Sequence, residues 1–248
     1  MLLESKVALV TGAGAGIGAG TAKRLAAEGA HVIVADIDAA GGAETVRAIT
    51  SSGGAAAFCR VDVTDPDSVT ALVEFAVSRY GRLDAAVNNA GLHEKPALLH
   101  ELDIDSWRTV IDINLTGTWL CMRAELQHFA ENGGGTIVNL ASASGLKAAP
   151  GGSAYSASKH GIVGLTRTGA VDYVRHGVRV NAVAPGAIMT EALAKFGDRQ
   201  LRTWAEAMPT GRMGTVDEVA AAIAWLLSDQ SSYVTGTVLE IDGGFLQA

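Results

Sequence analysis

The chain is poor in the residues that would indicate a disulfide framework, a metal centre or a membrane span. Only two of its 248 residues are cysteines, Cys59 and Cys121, and they form no C-x-x-C pattern. We therefore predict no disulfide framework and no zinc or other metal site, and we interpret both thiols as packing residues. The longest plain apolar run, residues 219–227, is too short to cross a bilayer.

Charged residues are also scarce, and the acidic ones are in excess. They make up 18% of the chain, and the formal net charge is −7. Such a balance gives no electrostatic attraction to nucleic acid or to anionic lipid, and it would repel an acidic carrier protein. Because Glu4 and Lys6 interrupt the N-terminal apolar stretch, no signal peptide is predicted. We expect a cytoplasmic protein without nucleic-acid or membrane partners.

Glycine and apolar residues are plentiful by contrast. The chain has 30 glycines against 5 prolines, and 48% of it is hydrophobic, which is typical of a well-packed protein with many tight turns. Strands are predicted at 6–11, 31–36, 55–63, 83–90, 135–142, 178–185 and 236–242, and helices at 17–28, 66–79, 106–131, 154–176 and 217–228. This alternation predicts an α/β fold, a doubly wound parallel sheet of the Rossmann type, as a single domain over 1–248.

One long irregular stretch, residues 186–215, follows the sixth predicted strand. Its apolar side chains are Met189, Leu193, Phe196, Trp204 and Met208. Because ligands bind beyond the carboxyl ends of the strands in such sheets, this stretch is predicted to be a substrate lid. A peripheral helical hairpin that serves only for packing is the alternative interpretation.

The segment TGAGAGIG, residues 11–18, directly follows the first predicted strand and opens a helix. Glycine lets the backbone approach a pyrophosphate closely, and the start of a helix offers free N–H groups to it. The strict G-x-G-x-x-G spacing is absent, and the usable glycines are Gly12, Gly16 and Gly18. The position between a strand and a helix favours a dinucleotide site over a flexible turn.

Asp36 ends the second predicted strand, where an acidic side chain can accept hydrogen bonds from a ribose 2′-hydroxyl and would repel a 2′-phosphate. The residue therefore favours NAD over NADP as cofactor. A solvated aspartate at the end of a strand is the alternative, and Asp38 is a competitor for the same role.

Tyr155 and Lys159 are four residues apart in a predicted helix, so their side chains lie on the same face. With the residues above, this pair resembles the short-chain dehydrogenase/reductase family of roughly 250 residues. The resemblance extends over nearly the whole chain. Its motifs, in order, are Thr11–Gly18, Asp62 with Val63, NNAG at 88–91, Asn114, Ser142, Tyr155 with Lys159, and PGAIMT at 185–190.

The resemblance implies a catalytic set of Asn114, Ser142, Tyr155 and Lys159. Tyr155 would exchange a proton with the substrate oxygen, and Ser142 would donate a hydrogen bond to that oxygen. Lys159, together with a positive nicotinamide, would lower the pKa of the tyrosine, and it would also hold the nicotinamide ribose. Asn114 would hold a water on a proton path, although a plain buried asparagine is the alternative.

The resemblance also implies which residues bind the cofactor. They are Gly12, Gly16, Ile17, Gly18, Asp36, Asp62, Val63, Asn89, Ala90, Gly91, Tyr155, Lys159, Pro185, Gly186, Ile188 and Thr190. Within this set Asp62 and Val63 would contact the adenine, and Ile188 and Thr190 would hold the nicotinamide carboxamide.

The expected function is NAD-dependent hydride transfer between a secondary alcohol and its ketone, on a small-molecule substrate. One alternative is a 3-oxoacyl-[acyl-carrier-protein] reductase, although residues 124–135 contain no lysine or arginine for a carrier to bind. A second alternative is a non-catalytic NAD-binding protein. The resemblance implies a homotetramer or homodimer. The sequence leaves open whether His93, Lys147 or Trp204 contacts the substrate.

Overall fold

The structure, a computed structural model, describes all residues from 1 to 248. In chain order its strands are β1 (Val7–Thr11), β2 (His31–Asp36), β3 (Ala55–Arg60), β4 (Ala85–Asn88), β5 (Gly135–Leu140), β6 (Val178–Pro185), β7 (Ile188–Met189), β8 (Gly214–Thr215) and β9 (Val238–Ile241). Seven of them form one parallel sheet in the order β3-β2-β1-β4-β5-β6-β9, and β7 pairs only with β8. The predicted doubly wound parallel sheet is confirmed.

The helices are α1 (Gly16–Ala27), α2 (Ala39–Ser51), α3 (Pro66–Tyr80), α4 (Ile104–Val110), α5 (Gly117–Glu131), α6 (Ser153–Tyr173), α7 (Asp198–Glu206) and α8 (Val216–Leu227). They cover both faces of the sheet, which explains why nearly every residue of the central strands β1, β4 and β5 is buried. Alternation along β1 shows the two sides: Val7 and Leu9 belong to one buried cluster, and Ala8 and Val10 belong to the other. None of the helices has the length and apolarity needed to cross a membrane.

Two helical predictions differ from the structure. The predicted helices omitted α2, in which Gly41 and Gly42 weaken the local helical pattern. Packing explains the second of these glycines, because a Cβ on Gly42 would lie 2.1 Å from the ring of Phe58 in β3. The single helix predicted at 106–131 is wrong in detail: α4 and α5 are joined by a π-helical turn at Ile111–Thr116.

Most other boundaries agree to within a few residues. The predicted strand 55–63 ends earlier, at Arg60, and the predicted strand 83–90 is shorter, at Ala85–Asn88. The stretch 186–215 is not a hairpin of two helices. It begins with β7, continues through a short 3-10 turn and α7, and ends with β8.

Candidate active site

A cavity of about 910 Å³ lies beyond the carboxyl ends of the central strands. Most of the sequence-predicted site residues line it: Gly12, Gly16, Ile17, Asp36, Asp62, Val63, Asn89, Ala90, Gly91, Ser142, Tyr155, Lys159, Pro185, Gly186, Ile188 and Thr190. Two of the predicted residues, Gly18 and Asn114, do not line the cavity. The cavity continues to the apolar side chains of Leu193, Trp204, Met208 and Phe245.

The glycine-rich segment forms one end of this cavity, and its conformation requires glycine at two points. Gly12 has φ of +62° and Gly16 has φ of +54°, in the region that side chains other than glycine rarely adopt. Gly18 serves packing, because a Cβ there would lie 2.1 Å from the carbonyl oxygen of Gly12. The backbone at this end can therefore approach a ligand directly.

Hydrogen bonds tie the glycine-rich segment to the end of β4. The Asn89 side-chain amide donates to the carbonyl oxygens of Thr11 and Gly12, at 2.9 and 3.0 Å. The Thr11 hydroxyl accepts in return from the N–H groups of Asn89 and Ala90. The NNAG motif thus supports the glycine-rich segment and also forms part of the cavity wall.

Two aspartates lie at the same end as the glycine-rich segment. One carboxylate oxygen of Asp36 accepts from the Gly14 N–H at 2.7 Å and the other accepts from the Asp38 N–H at 2.9 Å. The Asp62 carboxylate accepts from the hydroxyl and the N–H of Thr64, and these bonds lower the pKa of Asp62. Asp36 is therefore held in place at the end of β2 by the backbone of the glycine-rich segment.

Tyr155, Lys159 and Ser142 meet at the other end of the cavity. The Lys159 ammonium lies 5.4 Å from the centre of the Tyr155 ring and donates to the Leu140 carbonyl oxygen at 2.6 Å. Ser142 follows β5 and its hydroxyl accepts from the Ser144 N–H at 3.1 Å. The helix α6 and the end of β5 thus bring together a phenol, an ammonium and a hydroxyl.

Burial governs the ionisation of Tyr155 and Lys159. It raises the pKa of the Tyr155 phenol, an effect that interaction with the Ser142 hydroxyl opposes and the Glu94 carboxylate reinforces. It lowers the pKa of Lys159 to about 8. The expected lowering of the Tyr155 pKa by Lys159 together with a bound nicotinamide stays a prediction, and in the protein alone burial of the phenol acts in the opposite direction.

Asn114 lies in the π-helical turn and is fully buried. Its amide donates to the Leu92 carbonyl oxygen at 2.9 Å and to the Ser158 hydroxyl at 3.2 Å, while its oxygen accepts from the Leu92 N–H at 2.9 Å. These contacts hold the segment after the NNAG motif against the helix that carries Tyr155. The water-holding role predicted for Asn114 stays a prediction.

Comparison with known proteins agrees with this geometry. Residues 12–246 match the family model described as enoyl-(acyl carrier protein) reductase. The cis-4-hydroxycyclohexanecarboxylate dehydrogenase of Sinomonas cyclohexanicum is 47% identical over 97% of this chain and 96% of its own. The cyclohexanol dehydrogenase of Acinetobacter sp. strain SE19 is 42% identical over 98% of this chain and 95% of its own. The crystal structure of levodione reductase superposes with a TM-score of 0.95 at 38% identity, covering 99% of both chains.

The chain belongs to the short-chain dehydrogenase/reductase family. As a member it is an oxidoreductase that acts on CH–OH groups of a small-molecule substrate with a nicotinamide cofactor. The sequence-based predictions of the family, of the fold and of alcohol/ketone oxidoreductase activity are thereby confirmed.

The family motifs did not predict the role of Glu94. Its carboxylate accepts from the N–H groups of Ala154 and Tyr155 at 2.8 and 3.1 Å, and so it caps the start of α6. A carboxylate at this point also interacts favourably with the helix dipole. Glu94 is separated by sixty residues from the helix it caps, so no local capping pattern in the sequence indicates the contact.

His93, which the sequence left open, lies directly on the tyrosine. Its imidazole stacks on the Tyr155 ring with 3.5 Å between the ring centres and 21° between the planes. Trp204 also lines the cavity, whereas the Lys147 ammonium lies 4.9 Å from the centre of the Phe245 ring. His93 and Trp204 are therefore placed to contact a substrate, while Lys147 supports the wall behind Phe245.

Proposed function

We propose that this protein oxidises a secondary hydroxyl group on a small or medium cyclic substrate, with NAD⁺ as the hydride acceptor. The observation that carries the proposal is a single cavity with Tyr155, Lys159 and Ser142 at one end and Asp36 at the other. Two similar proteins are named for hydroxylated cyclohexane substrates, which supports a ring as the substrate class. The apolar wall of Leu193, Trp204 and Met208 also suits a hydrocarbon ring.

The residues present fit a dinucleotide. Positive φ angles at Gly12 and Gly16 leave room for a pyrophosphate beside the start of α1, and Asp36 can accept from a ribose hydroxyl. Ile188 and Thr190 would hold the carboxamide at the opposite end. When bound, the nicotinamide supplies the hydride acceptor or donor.

The protein's own groups handle the proton. Tyr155 would take the proton of the substrate hydroxyl through its phenolic oxygen, and Ser142 would donate to the same substrate oxygen. Lys159 holds positive charge close to the phenol, which favours the phenolate as the proton moves. Through its contact with the Leu140 carbonyl oxygen it also fixes α6 against β5.

The stretch 186–215 is proposed to cover the substrate. Leu193, Trp204 and Met208 lie in the cavity wall, and the Phe196 ring packs edge-on against Trp204 with 5.3 Å between ring centres. A covering segment of this kind would exclude water from the hydride transfer.

The assembly is proposed to be a homotetramer or homodimer in the cytoplasm. Its support is that large apolar side chains remain exposed on α5 and α6, the helices that the family resemblance places against a second subunit: Trp119 on α5 is 47% exposed and Val171 on α6 is 76% exposed.

The direct test is reduction of NAD⁺ and NADP⁺, followed at the nicotinamide absorbance band, with cyclic alcohols, sugars, hydroxy acids and hydroxyacyl thioesters. We expect NAD⁺-linked oxidation of cyclic secondary alcohols. Faster reduction of an acetoacetyl thioester than of any simple ketone would favour the carrier-protein reductase instead. Absence of all turnover, with NADH still bound, would support the non-catalytic alternative.

Asp36→Asn is expected to raise the ratio of kcat/KM with NADP⁺ to that with NAD⁺ by about tenfold. The amide keeps the size of the side chain and, through its oxygen, the contact with the Gly14 N–H. It gives up the second acceptor, which faces the exposed Asp38 N–H, and it removes the charge that repels a 2′-phosphate. Asp38→Asn serves as the matched control, since Asp38 is exposed two residues away and does not line the cavity. A shift produced by Asp38→Asn, with none from Asp36→Asn, would transfer the role to Asp38.

A further inference from the structure

The segment 92–94 crosses in front of Tyr155 and is fixed at both ends. At Leu92 the backbone N–H and carbonyl are both hydrogen-bonded to the buried side chain of Asn114, each at 2.9 Å. At Glu94 the carboxylate is bound to the first backbone N–H groups of α6. His93 stands between these two anchors, so its position follows from contacts that involve neither of its ring nitrogens.

The imidazole of His93 covers one face of the Tyr155 ring, at 3.5 Å between ring centres. It lines the main cavity and also an adjoining cavity of about 370 Å³, and Trp204 and Phe245 are shared between the two. Neither ring nitrogen of His93 is hydrogen-bonded to another protein group, and the residue keeps an exposed edge. The two ring nitrogens of His93 are thus available to hydrogen-bond a ligand at the junction of the two cavities.

The surroundings of His93 favour the uncharged ring. Desolvation lowers the pKa of His93, and the Lys159 ammonium lowers it further, against the opposing effect of Glu94. A neutral imidazole has one N–H donor and one acceptor nitrogen. That combination matches a hydroxyl or carbonyl oxygen, and it brings no full positive charge to bind a carboxylate.

We propose that His93 is a specificity residue that hydrogen-bonds a second, uncharged oxygen on the substrate ring, as in a cyclic diol or a hydroxyketone. The inference rests on the proposed function, because the first oxygen is the one that Tyr155 and Ser142 hold. The stack on Tyr155 and the two anchors of the segment place the imidazole beside the phenol that would hold the first oxygen, so a ring of cyclohexane size bound there would bring a second oxygen within reach of His93.

The test compares kcat/KM for cyclohexanol, 1,4-cyclohexanediol, 4-hydroxycyclohexanone and 4-hydroxycyclohexanecarboxylate in the wild type and in His93→Phe. Phenylalanine keeps an aromatic ring on Tyr155 and removes both nitrogens. We expect the wild type to prefer the diol or the hydroxyketone over cyclohexanol, and His93→Phe to lower that ratio by about tenfold, the effect of one lost hydrogen bond. His100→Phe, an exposed histidine of the same loop outside both cavities, is the matched control.

The outcomes distinguish failure of the proposed function from failure of the specificity role of His93. If no ring alcohol is oxidised with either cofactor, the proposed function fails. If cyclohexanol is oxidised but the wild type shows no preference for a second oxygen, or His93→Phe lowers all substrates equally, the specificity role of His93 is wrong. The proposal would also be overturned if the wild type prefers 4-hydroxycyclohexanecarboxylate and His93→Phe abolishes that preference. His93 would then bind a charged carboxylate and not an uncharged oxygen.

Discussion

Tyr155→Phe is expected to lower kcat for alcohol oxidation by about three orders of magnitude. The substitution removes the only phenolic oxygen in the cavity wall, and general acid–base groups typically contribute 10²- to 10⁴-fold. It keeps the ring that stacks on His93, so the shape of the site is preserved. The measurement is steady-state turnover of a cyclic alcohol, together with titration of NADH by fluorescence.

The binding measurement is the control in this experiment. NADH affinity should change by less than about threefold, because most of the residues proposed to bind the cofactor lie outside α6. Turnover within tenfold of the wild type would contradict the role of Tyr155 as the proton-transfer group. Loss of NADH binding together with turnover would indicate damage to the site rather than loss of a proton acceptor.

The wild type is expected to lose stability between pH 5 and pH 8.5, and Glu125→Gln is expected to abolish this loss. Glu125 on α5 is fully buried, has no cation beside it and accepts one hydrogen bond, from the Asn88 amide at 2.9 Å. One oxygen each of Glu125 and Asn88 lacks any partner. Burial accordingly raises the pKa of Glu125 from 4.5 to about 8.

The sign follows from proton counting. Between pH 4.5 and pH 8 the folded chain keeps the Glu125 proton, whereas the unfolded chain has released it, so the free energy of unfolding falls as pH rises. A raised pKa of this size corresponds to a loss of about 5 kcal/mol once the pH exceeds 8. Glutamine has no proton to lose, and the difference between variant and wild type isolates this group from all others that titrate.

Urea unfolding at pH 5 and pH 8.5 measures the effect. Glu131→Gln, an exposed residue of the same helix, should leave the pH dependence unchanged. If the free energy of unfolding changes equally between pH 5 and pH 8.5 in the wild type and in Glu125→Gln, the buried carboxyl titrates as it does in water.

The sequence could predict the parts of this protein that depend on local pattern. β1 and the central residues 32–35 of β2 are continuous apolar runs, and α1 follows a glycine-rich segment whose position between strand and helix is diagnostic. Tyr155 and Lys159 could be paired from spacing alone. The convergence of these residues on one cavity followed from the rule that ligands bind at the carboxyl ends of parallel strands.

What the sequence could not predict depends on contacts between distant segments. Glu94 caps a helix sixty residues later, and His93 reaches the Tyr155 ring only because Asn114 and Glu94 fix its neighbours. The pKa of Tyr155 depends on how deeply the ring is buried, which spacing does not reveal. The helix α2 was missed because Gly41 and Gly42 oppose helix formation locally, and Gly42 is explained only by its packing on Phe58.

The short strands β7 and β8 pair only with each other, so the stretch between them is bounded by a pairing separate from the seven-stranded sheet. Ile188 faces Gly214 and Met189 faces Thr215, so the stretch leaves the fold and returns at the same point. With its ends already joined, a change in its length adds little closure entropy and imposes no shift on the seven-stranded sheet. Residues 190–213 can therefore change in length without a change in the glycine-rich segment at the other end of the cavity.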